Sequence, residues 1–454
     1  MKNKHLQPKR ALRTALLVLL LSVVGIGKMY ALYDFSAVCP TGQTLYYNII
    51  DATHRYVELT YPGSSSSNSW NGYTEPTGNI TLPSTVTYNG INYAVKRIGE
   101  FTFRGCSGLS GSLSIPSSVT EIGNYAFHGC YHFTGSLTIP NSVTMIGKRA
   151  FYNCFGFKGT LTIGSNVTTI GEEAFSLCNG FTGSLTIPNS VTSIGASAFY
   201  TCHGFNGSLT LGNSLAAIGG YAFYRCNHLT GSLTIPSSVT TIGSSAFGNC
   251  SSFTGMLTIP NSVTSIGLYA FYNCTGITHV YYDAINCADV PPGSQGDHYS
   301  PFNGCGGSLS IGDNVLRIPA YMFYECSLFE GSLVIPNSVT VIGEAAFNGC
   351  SGFTGSLSLG NSLTTIGHGA FYGCSGLTGT LTIPNSVGVI DQDYYGAQNE
   401  GHIMAKMTND GREGKTVSIK AGSAFIQGVF LQFGTADEDE VTDKRTDGFG
   451  STSR

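Results

Sequence analysis

Apolar positions recur along most of the chain with a period of 24 residues, and an Ile-Gly pair marks nearly every copy. One copy, residues 183–202, runs GSLTIPNSVTSIGASAFYTC. A fixed period of a few tens of residues is typical of solenoids, in which each unit buries its apolar face against its neighbours. The isoleucines are Ile98, Ile122, Ile146, Ile170, Ile194, Ile218, Ile242 and Ile266, each followed by glycine, and then, after an irregular stretch, Ile318, Ile342 and Ile366.

Each unit opens with two short extended pieces. In residues 185–187 two apolar side chains flank a threonine, so a strand here points Thr186 to solvent and its neighbours to the core. Pro188 cannot donate to a β-ladder and ends this strand, and residues 191–194 form the second piece. The threonines at this repeat position are interpreted as ordinary strand residues rather than a binding device. They are Thr138, Thr162, Thr186, Thr210, Thr234 and Thr258.

The second half of the unit predicts a turn and a helix. Gly195 permits a sharp bend, and Ala198, Phe199 and Cys202 then follow at helical spacing. This spacing predicts a helix of one or two turns with its apolar side towards the core. The expected fold class is therefore mainly β with short helices, arranged as a leucine-rich-repeat solenoid.

The segments around the array suggest four parts. Residues 44–60 and 85–95 each have the pattern of a β-hairpin, the second around Asn89-Gly90, which predicts an N-terminal β cap over 32–95 with 64–69 as a flexible loop. The repeats then cover 96–386 in about 12 coils, with an irregular insertion at 280–301. Residues 387–454 abandon the repeat pattern and form a separate C-terminal segment.

Residues 1–31 have the layout of a secretory signal peptide. Basic residues precede an apolar run at 15–26 that is too short for a comfortable membrane span. Cleavage after Gly27 or after Ala31 both fit, and a retained N-terminal anchor is the alternative. The prediction is a secreted or cell-surface protein with no stable membrane span in the mature chain.

Charge argues against nucleic acid as a partner. Only 11% of residues are charged and the net charge is −4, while the Lys and Arg residues beyond the N-terminus are scattered. A nucleic-acid reader needs a basic patch or stripe. The repeats also contain no Ser/His/Asp arrangement and no phosphate loop, which favours a binding module over an enzyme.

Twelve of the 14 cysteines occupy one repeat position, whereas Cys39 and Cys287 do not. Stacked side chains at one position point in parallel, which is poor geometry for a disulfide, so buried thiols are predicted. No cysteine pair has metal-ligand spacing, and no metal or cofactor is expected for the repeat body.

The motif L-T-I-P-x-S-V-T-x-I-G-x-x-A-F-x-x-C resembles the BspA-like bacterial leucine-rich repeats over about two thirds of the chain. That resemblance implies a curved solenoid on an exported bacterial protein, often used for adhesion to host proteins, matrix proteins or other bacteria. It does not name a ligand; an extracellular protein or glycan is expected.

Two features are candidates for ligand contact. Tyrosines follow the buried phenylalanine in several copies, and a row of half-exposed rings suits protein or carbohydrate ligands, although the rings could simply pack on each other. The insertion carries Asp289 and His298. Insertions into single coils form loops on one face of a solenoid, often the binding face, although a tolerated surface loop is the alternative. The tyrosines are Tyr152, Tyr200, Tyr224, Tyr272, Tyr324 and Tyr372.

The C-terminal strings GVIDQDYYG, AGSAFIQGVF and KRTDGFGST resemble, in order, the third, fourth and fifth motifs of the trimeric dUTP diphosphatase family. The resemblance implies part of a jelly-roll β fold, a trimer, Mg²⁺ as cofactor and hydrolysis of dUTP to dUMP and diphosphate. Asp391 would activate water and Tyr394 would pack on the deoxyribose. Gln427 matches the fourth motif, while Phe449 would stack on uracil and Arg445, Gly450, Ser451 and Thr452 would hold phosphates.

That family's first motif and its serine-bearing second motif have no counterpart in the chain. Half a jelly-roll leaves sheets unpaired and a core open. The prediction is therefore an exported repeat protein that binds ligands, with a dUTP diphosphatase or an inactive remnant of one as the alternative.

Overall fold

The computed structural model describes residues 33–63, 69–291, 299–384 and 386–387, with the backbone of 389–390, 415–419 and 429–430. The predicted signal peptide and most of the C-terminal segment lie outside these residues. The chain winds into a β-solenoid of about 11 turns, close to the 12 expected. The predicted leucine-rich-repeat solenoid is confirmed.

Six strands precede the repeats, and both predicted hairpins are present. The second hairpin turns at Asn89 and Gly90, whose φ angles of 49° and 77° are the left-handed values that a two-residue hairpin turn requires. Trp70 joins this region to the first coil, because its buried indole N–H donates to the Thr102 carbonyl at 3.0 Å. The six strands are Phe35–Val38, Thr44–Asp51, Tyr56–Thr60, Gly78–Thr81, Thr85–Tyr88 and Ile91–Ile98.

The first extended piece of each coil forms what we call the leucine row. Leu185 is buried and Thr186 exposed, so the predicted alternation is confirmed, and strands of neighbouring coils pair in parallel at an offset of 24 residues. The strands are Leu109–Ser114, Leu137–Thr138, Leu161–Thr162, Leu185–Thr186, Leu209–Thr210, Gly255–Ile259, Ile277–Tyr282, Ser308–Ile311, Leu333–Val334, Leu357–Ser358 and Gly379–Ile383.

The second piece forms the isoleucine row, which continues the N-terminal sheet through Ile91–Ile98. Threonines beside this row add a hydroxyl ladder, in which Thr168 Oγ1 donates to the Thr144 carbonyl at 3.0 Å. The strands are Glu121–Ile122, Met145–Ile146, Thr169–Ile170, Ser193–Ile194, Ala217–Ile218, Thr241–Ile242, Ser265–Ile266, Arg317–Ile318, Val341–Ile342 and Thr365–Ile366.

The predicted short helices are wrong: within the described residues the A-F-x-x-C segments are consecutive turns. The amides of Ala198, Tyr200 and Cys202 close turns inside their own coil, whereas those of Ser197, Phe199 and Thr201 donate to the next coil at 2.8 Å. Ser197 and Thr201 have φ of 55° and 57°. Left-handed residues four apart are incompatible with a right-handed helix, and the alternating amides stabilise the stack instead.

Phenylalanine columns fill the core on the turn side. Phe199 stacks between Phe175 and Phe223, with ring centroids 5.3 Å apart on both sides, and all three are fully buried. A second column contains Phe157, Phe181 and successors at the same position. Apolar side chains that cannot be covered within one coil are thus covered by the next one.

Gly195 does not have the positive φ angle that would make a glycine necessary for the predicted bend. A Cβ there would lie 2.5 Å from the Glu172 amide nitrogen of the preceding coil. The glycine of each Ile-Gly pair therefore permits the backbones of two neighbouring coils to approach closely. The pattern within one repeat predicted only a bend and not this contact.

The array continues across the insertion. The Phe271 amide donates to the Pro301 carbonyl at 2.8 Å, and Phe302 takes the place of the next stacked phenylalanine, 5.4 Å from Phe271. Ser300 is buried and its hydroxyl donates to the Met322 carbonyl at 2.7 Å. The insertion therefore leaves the phenylalanine stack unbroken, and its own Tyr282 and Cys287 are buried in the core.

Strands of the C-terminal segment cover the end of the array. Lys415–Ile419 pairs antiparallel with Gly379–Ile383, and Val429–Phe430 pairs antiparallel with both Thr365–Ile366 and Val389–Ile390. The predicted partial jelly-roll otherwise falls outside the described residues. Sheet edges that would be open after the last repeat are thus paired.

We expect Phe199→Ala to lower the free energy of unfolding by about 3–5 kcal/mol, because it removes two ring stacks and leaves a cavity. Guanidinium denaturation followed by circular dichroism measures the change. Phe155, whose side chain is 42% exposed, provides the matched control, and Phe155→Ala should cost less than about 1 kcal/mol. Equal losses in the two variants would contradict the stacked-core interpretation.

Candidate functional site: the aromatic turn face

The predicted tyrosines lie on the turn face, the surface formed by the exposed positions of the A-F-x-x-C segments. Phe199 points into the core, while the next residue, Tyr200, is half-buried and reaches the surface. Tyr272 and Tyr372 are the more exposed members, at 37% and 38%. The alternation of turns therefore places one ring inside and the next ring outside.

The tyrosine row is interrupted rather than continuous. Tyr200 stacks on Tyr224 at 5.5 Å, and Tyr152 stacks on His128 at 4.8 Å. Gly248 occupies the next position after Tyr224, and a Cβ there would lie 2.9 Å from the Tyr224 ring. Where two adjacent coils both carry a ring at this position, the rings pack on each other and also remain partly exposed. Ligand contact by Tyr152, Tyr200, Tyr224, Tyr272, Tyr324 and Tyr372 stays a prediction.

A second aromatic column, which sequence reasoning missed, lies two residues before the buried phenylalanine. Tyr269 contacts Tyr272 at 5.0 Å and Tyr299 at 4.6 Å between ring centroids, and Tyr321 lies 5.8 Å from Tyr324. We call these five residues the tyrosine cluster. Its signal was visible in the repeat as a tyrosine at the second x of I-G-x-x-A-F, but only the insertion brings Tyr299 beside it.

Burial keeps the hydroxyl groups of Tyr269 and Tyr321 protonated at neutral pH, because it raises the pKa of both. Burial raises the pKa of Tyr269, and the adjacent Tyr299 adds to the shift. Burial and a hydrogen bond to Glu344 raise the pKa of Tyr321 to about 12, with the hydroxyl donating to the carboxylate oxygen at 2.7 Å. The cluster therefore offers flat apolar rings with polar tips.

Asp289, the predicted ligand-binding carboxylate of the insertion, has partners within the chain. It forms an ion pair with Arg317 and accepts a hydrogen bond from the Ala320 amide at 2.7 Å. Burial acts to raise the pKa of Asp289, but these two donors outweigh it and hold the pKa below its ordinary value. Asp289 thus ties the insertion to the next coil, and its contact with a ligand stays a prediction. His298 lies outside the described residues.

The cysteines are buried free thiols, as predicted. What the sequence did not reveal is their hydrogen bond: Cys202 Sγ donates to the Phe175 carbonyl of the preceding coil at 2.9 Å, and the same bond recurs along the array. In the part of the chain that the structure describes, no group of three or more His, Cys, Asp or Glu side chains is arranged to hold a metal ion.

The residues carried over from the dUTP diphosphatase motifs lie outside the side chains that the structure describes. They are Asp391, Tyr394, Gln427, Arg445, Phe449, Gly450, Ser451 and Thr452. Their roles, like the Mg²⁺ and the trimer that the resemblance implies, stay predictions.

Comparison with known families decides the class of the repeats. A family described as "BspA type Leucine rich repeat region" matches residues 79–206, 181–288 and 301–403, in 6 copies. The chain belongs to the BspA-type leucine-rich repeat family. The matched ranges include the tyrosine row and every member of the tyrosine cluster except Tyr299.

Solved leucine-rich repeat proteins are similar to this member of the BspA-type family. One from Bacteroides ovatus shares 26% identity at a TM-score of 0.44, over 76% of this chain and 94% of that protein. A leucine rich cell surface protein from Faecalibacterium prausnitzii shares 22% identity at a TM-score of 0.35, over 77% and 94%.

A curated enzyme matches a short stretch of this BspA-type chain. Deoxyuridine 5′-triphosphate nucleotidohydrolase of Lactococcus lactis subsp. lactis (strain IL1403) is 51% identical over 69 residues, which are 14% of this chain. The chain spans less than half of that enzyme, 45% of its length. This match is consistent with the resemblance of the C-terminal segment.

Among the residues that the structure describes, no helix has the length and apolar character needed to cross a membrane.

We expect the array to lose stability as pH rises from about 9 towards 12. Burial raises the pKa of Cys178 and of Cys226 from 9.0 to about 12, so the folded state retains protons that the unfolded chain has released. Stability then falls with rising pH, by up to about 1.4 kcal/mol per pH unit for each thiol. Guanidinium unfolding at pH 8 and at pH 10.5 measures this slope.

The matched variant is Cys226→Ala, which removes one of these protons. Its loss of stability between the two pH values should be smaller than that of the parent protein. An unchanged slope would contradict the assignment of the pH dependence to the buried thiols.

Proposed function

We propose that this protein is exported and acts outside the cell as a repeat scaffold that binds a protein or glycan ligand, in adhesion or a related contact. Membership of the BspA-type repeat family supports this proposal, and so does the signal-peptide layout of residues 1–31. The ligand-binding surface is the turn face around the insertion.

The observation that carries the proposal is the tyrosine cluster. Tyr269, Tyr272 and Tyr299 form one contiguous group of rings, and Tyr321 and Tyr324 extend it to the coil after the insertion. Tyrosine is over-represented among the residues that dominate binding energy at interfaces, because it offers a large apolar face and a hydrogen-bonding tip. The regularly spaced coils also carry linked rings, from Phe101 through Tyr125 to His128, but there the Arg104 and Arg149 side chains lie over the Tyr125 ring.

The scaffold also supports binding through rigidity. The Tyr269 backbone lies in a left-handed conformation at φ 56°, and the amides of the flanking turns donate to neighbouring coils. Side chains that are already held by ring contacts lose little freedom when a ligand binds, which lowers the entropic cost of association.

We expect the double change Tyr269→Asn and Tyr321→Asn to weaken ligand binding at least about tenfold, since it removes one ring from each ring pair of the cluster, Tyr269 with Tyr272 and Tyr321 with Tyr324. Asparagine tolerates the left-handed backbone of both positions, so the fold should be retained. The measurement is binding of the purified chain to a printed array of extracellular-matrix proteins and mammalian glycans, followed by affinity determination for the spots that respond.

The matched control is Tyr125→Asn, at the same repeat position and with φ 57°, but far from the insertion. It should leave binding unchanged. Equal loss in the control and in the cluster variant, or retained binding in the cluster variant, would overturn the assignment to the tyrosine cluster.

The C-terminal segment supports a second candidate, hydrolysis of dUTP, because of its match to the curated enzyme. We favour a remnant that covers the end of the solenoid and does not hydrolyse nucleotides. Two observations support this choice: the match spans 45% of that enzyme, and the segment's strands at 415–419 and 429–430 pair with the array.

We expect the purified chain to show no dUTP hydrolysis with Mg²⁺ above that of an Asp391→Asn variant. A malachite-green assay coupled to pyrophosphatase measures the released diphosphate. Turnover that the Asp391→Asn change abolishes would contradict the remnant interpretation and identify a working hydrolase.

A further inference from the structure

A polar groove lies beside the tyrosine row, on coils well before the insertion. It has a volume of about 550 Å³ and runs across four successive coils. Its walls come from the positions that directly precede and follow the buried cysteines, with one residue from the next position. They are Thr201, His203, Arg225, Asn227, His228, Asn249, Ser251 and Asn273. A cavity of this size lies within the range of small-molecule sites, about 300–1,000 Å³.

The lining of the groove contains one cation and no carboxylate. Arg225 is exposed, and among the described residues its guanidinium forms no ion pair; it lies over the Tyr224 ring, 5.5 Å from the centroid. Several other basic side chains of the described region have carboxylate partners, whereas Arg225 has none and faces the groove. The paired ones are Arg97, Lys148, Arg149 and Arg317.

Amide and imidazole groups supply further donors and acceptors. Asn273 Nδ2 donates to Asn249 Oδ1 at 2.9 Å, which leaves the Asn249 amide hydrogens and the Asn273 carbonyl oxygen for other partners. Asn227 Oδ1 is buried and has no partner in the described structure. His228 Nδ1 lies 2.7 Å from the His203 carbonyl, so Nδ1 donates and Nε2 remains for a ligand.

Alternating amide donors and acceptors match the neighbouring hydroxyls of a sugar ring, each of which both donates and accepts. A guanidinium provides two parallel N–H groups for a carboxylate or a sulfate. We propose that this groove binds an anionic saccharide, with its acidic group on Arg225 and its hydroxyls on Asn227, Asn249 and Asn273. The site uses other residues than the tyrosine cluster and extends the proposed function to a second surface.

The proposal is tested by calorimetric titration of the full chain with a galacturonic acid tetrasaccharide. A sulfated dextran tetrasaccharide identifies the acidic group, and the methyl ester of the galacturonate is the neutral counterpart. We expect binding of at least one anionic probe and at least about tenfold weaker binding of the ester, because the ester cannot pair with Arg225. An ester that binds as tightly as both anionic probes would overturn the proposal.

Variants distinguish binding in the groove from general attraction of an anionic probe to positive charge on the surface. Arg225→Gln should weaken binding of the anionic probe at least about tenfold, and Arg225→Lys should restore part of it. Asn227→Ala should weaken it while the melting temperature stays unchanged. Lys158→Gln is the matched control, since Lys158 is also exposed and forms no ion pair among the described residues.

Equal loss in Lys158→Gln and Arg225→Gln would overturn the proposal by assigning the binding to net charge. Absence of binding by both anionic probes would also overturn it. Neither result would bear on ligand binding by the tyrosine cluster, which is tested with its own variants. Failure of this inference is therefore distinguishable from failure of the proposed function.

Discussion

Backbone hydrogen bonding between coils is the interaction on which the other features of this solenoid depend. Amides of the leucine row and of the turn segments donate to the following coil, and amides of the isoleucine row donate to the preceding one, at offsets near 24 residues. A coil therefore has no complete set of partners by itself. The Phe199 column and the Thr168 hydroxyl ladder repeat because the backbone places equivalent residues directly above one another.

This constraint explains why the repeat tolerates certain residues only. A glycine follows nearly every isoleucine of the isoleucine row because the preceding coil's backbone lies close to where its Cβ would be, 2.5 Å away at Gly195. A small buried side chain is required at the cysteine position, and the thiol of Cys202 adds a hydrogen bond to the preceding coil. Sulfur suits this site because it is apolar enough for the core and still a weak donor.

Function is expected where the stacked positions vary. The turn face repeats the same backbone along the array, so its surface chemistry depends on which side chain each coil contributes. Around the insertion the contributions are tyrosines, held by contacts such as Tyr269 with Tyr299. Between Thr201 and Asn273 they are amides, imidazoles and Arg225. One scaffold can thereby present two chemically different surfaces.

The sequence by itself determined the period, the alternation at Leu185 and Thr186, the hairpin at Asn89-Gly90 and the family, because these depend on local patterns. It also predicted the buried thiols. Only the tertiary structure decided that the Ala198–Cys202 stretch forms turns, since helical spacing does not reveal that the amides of Phe199 and Thr201 bond to another coil. The tyrosine cluster and the groove likewise depend on contacts between residues a full period or more apart, which no local pattern specifies.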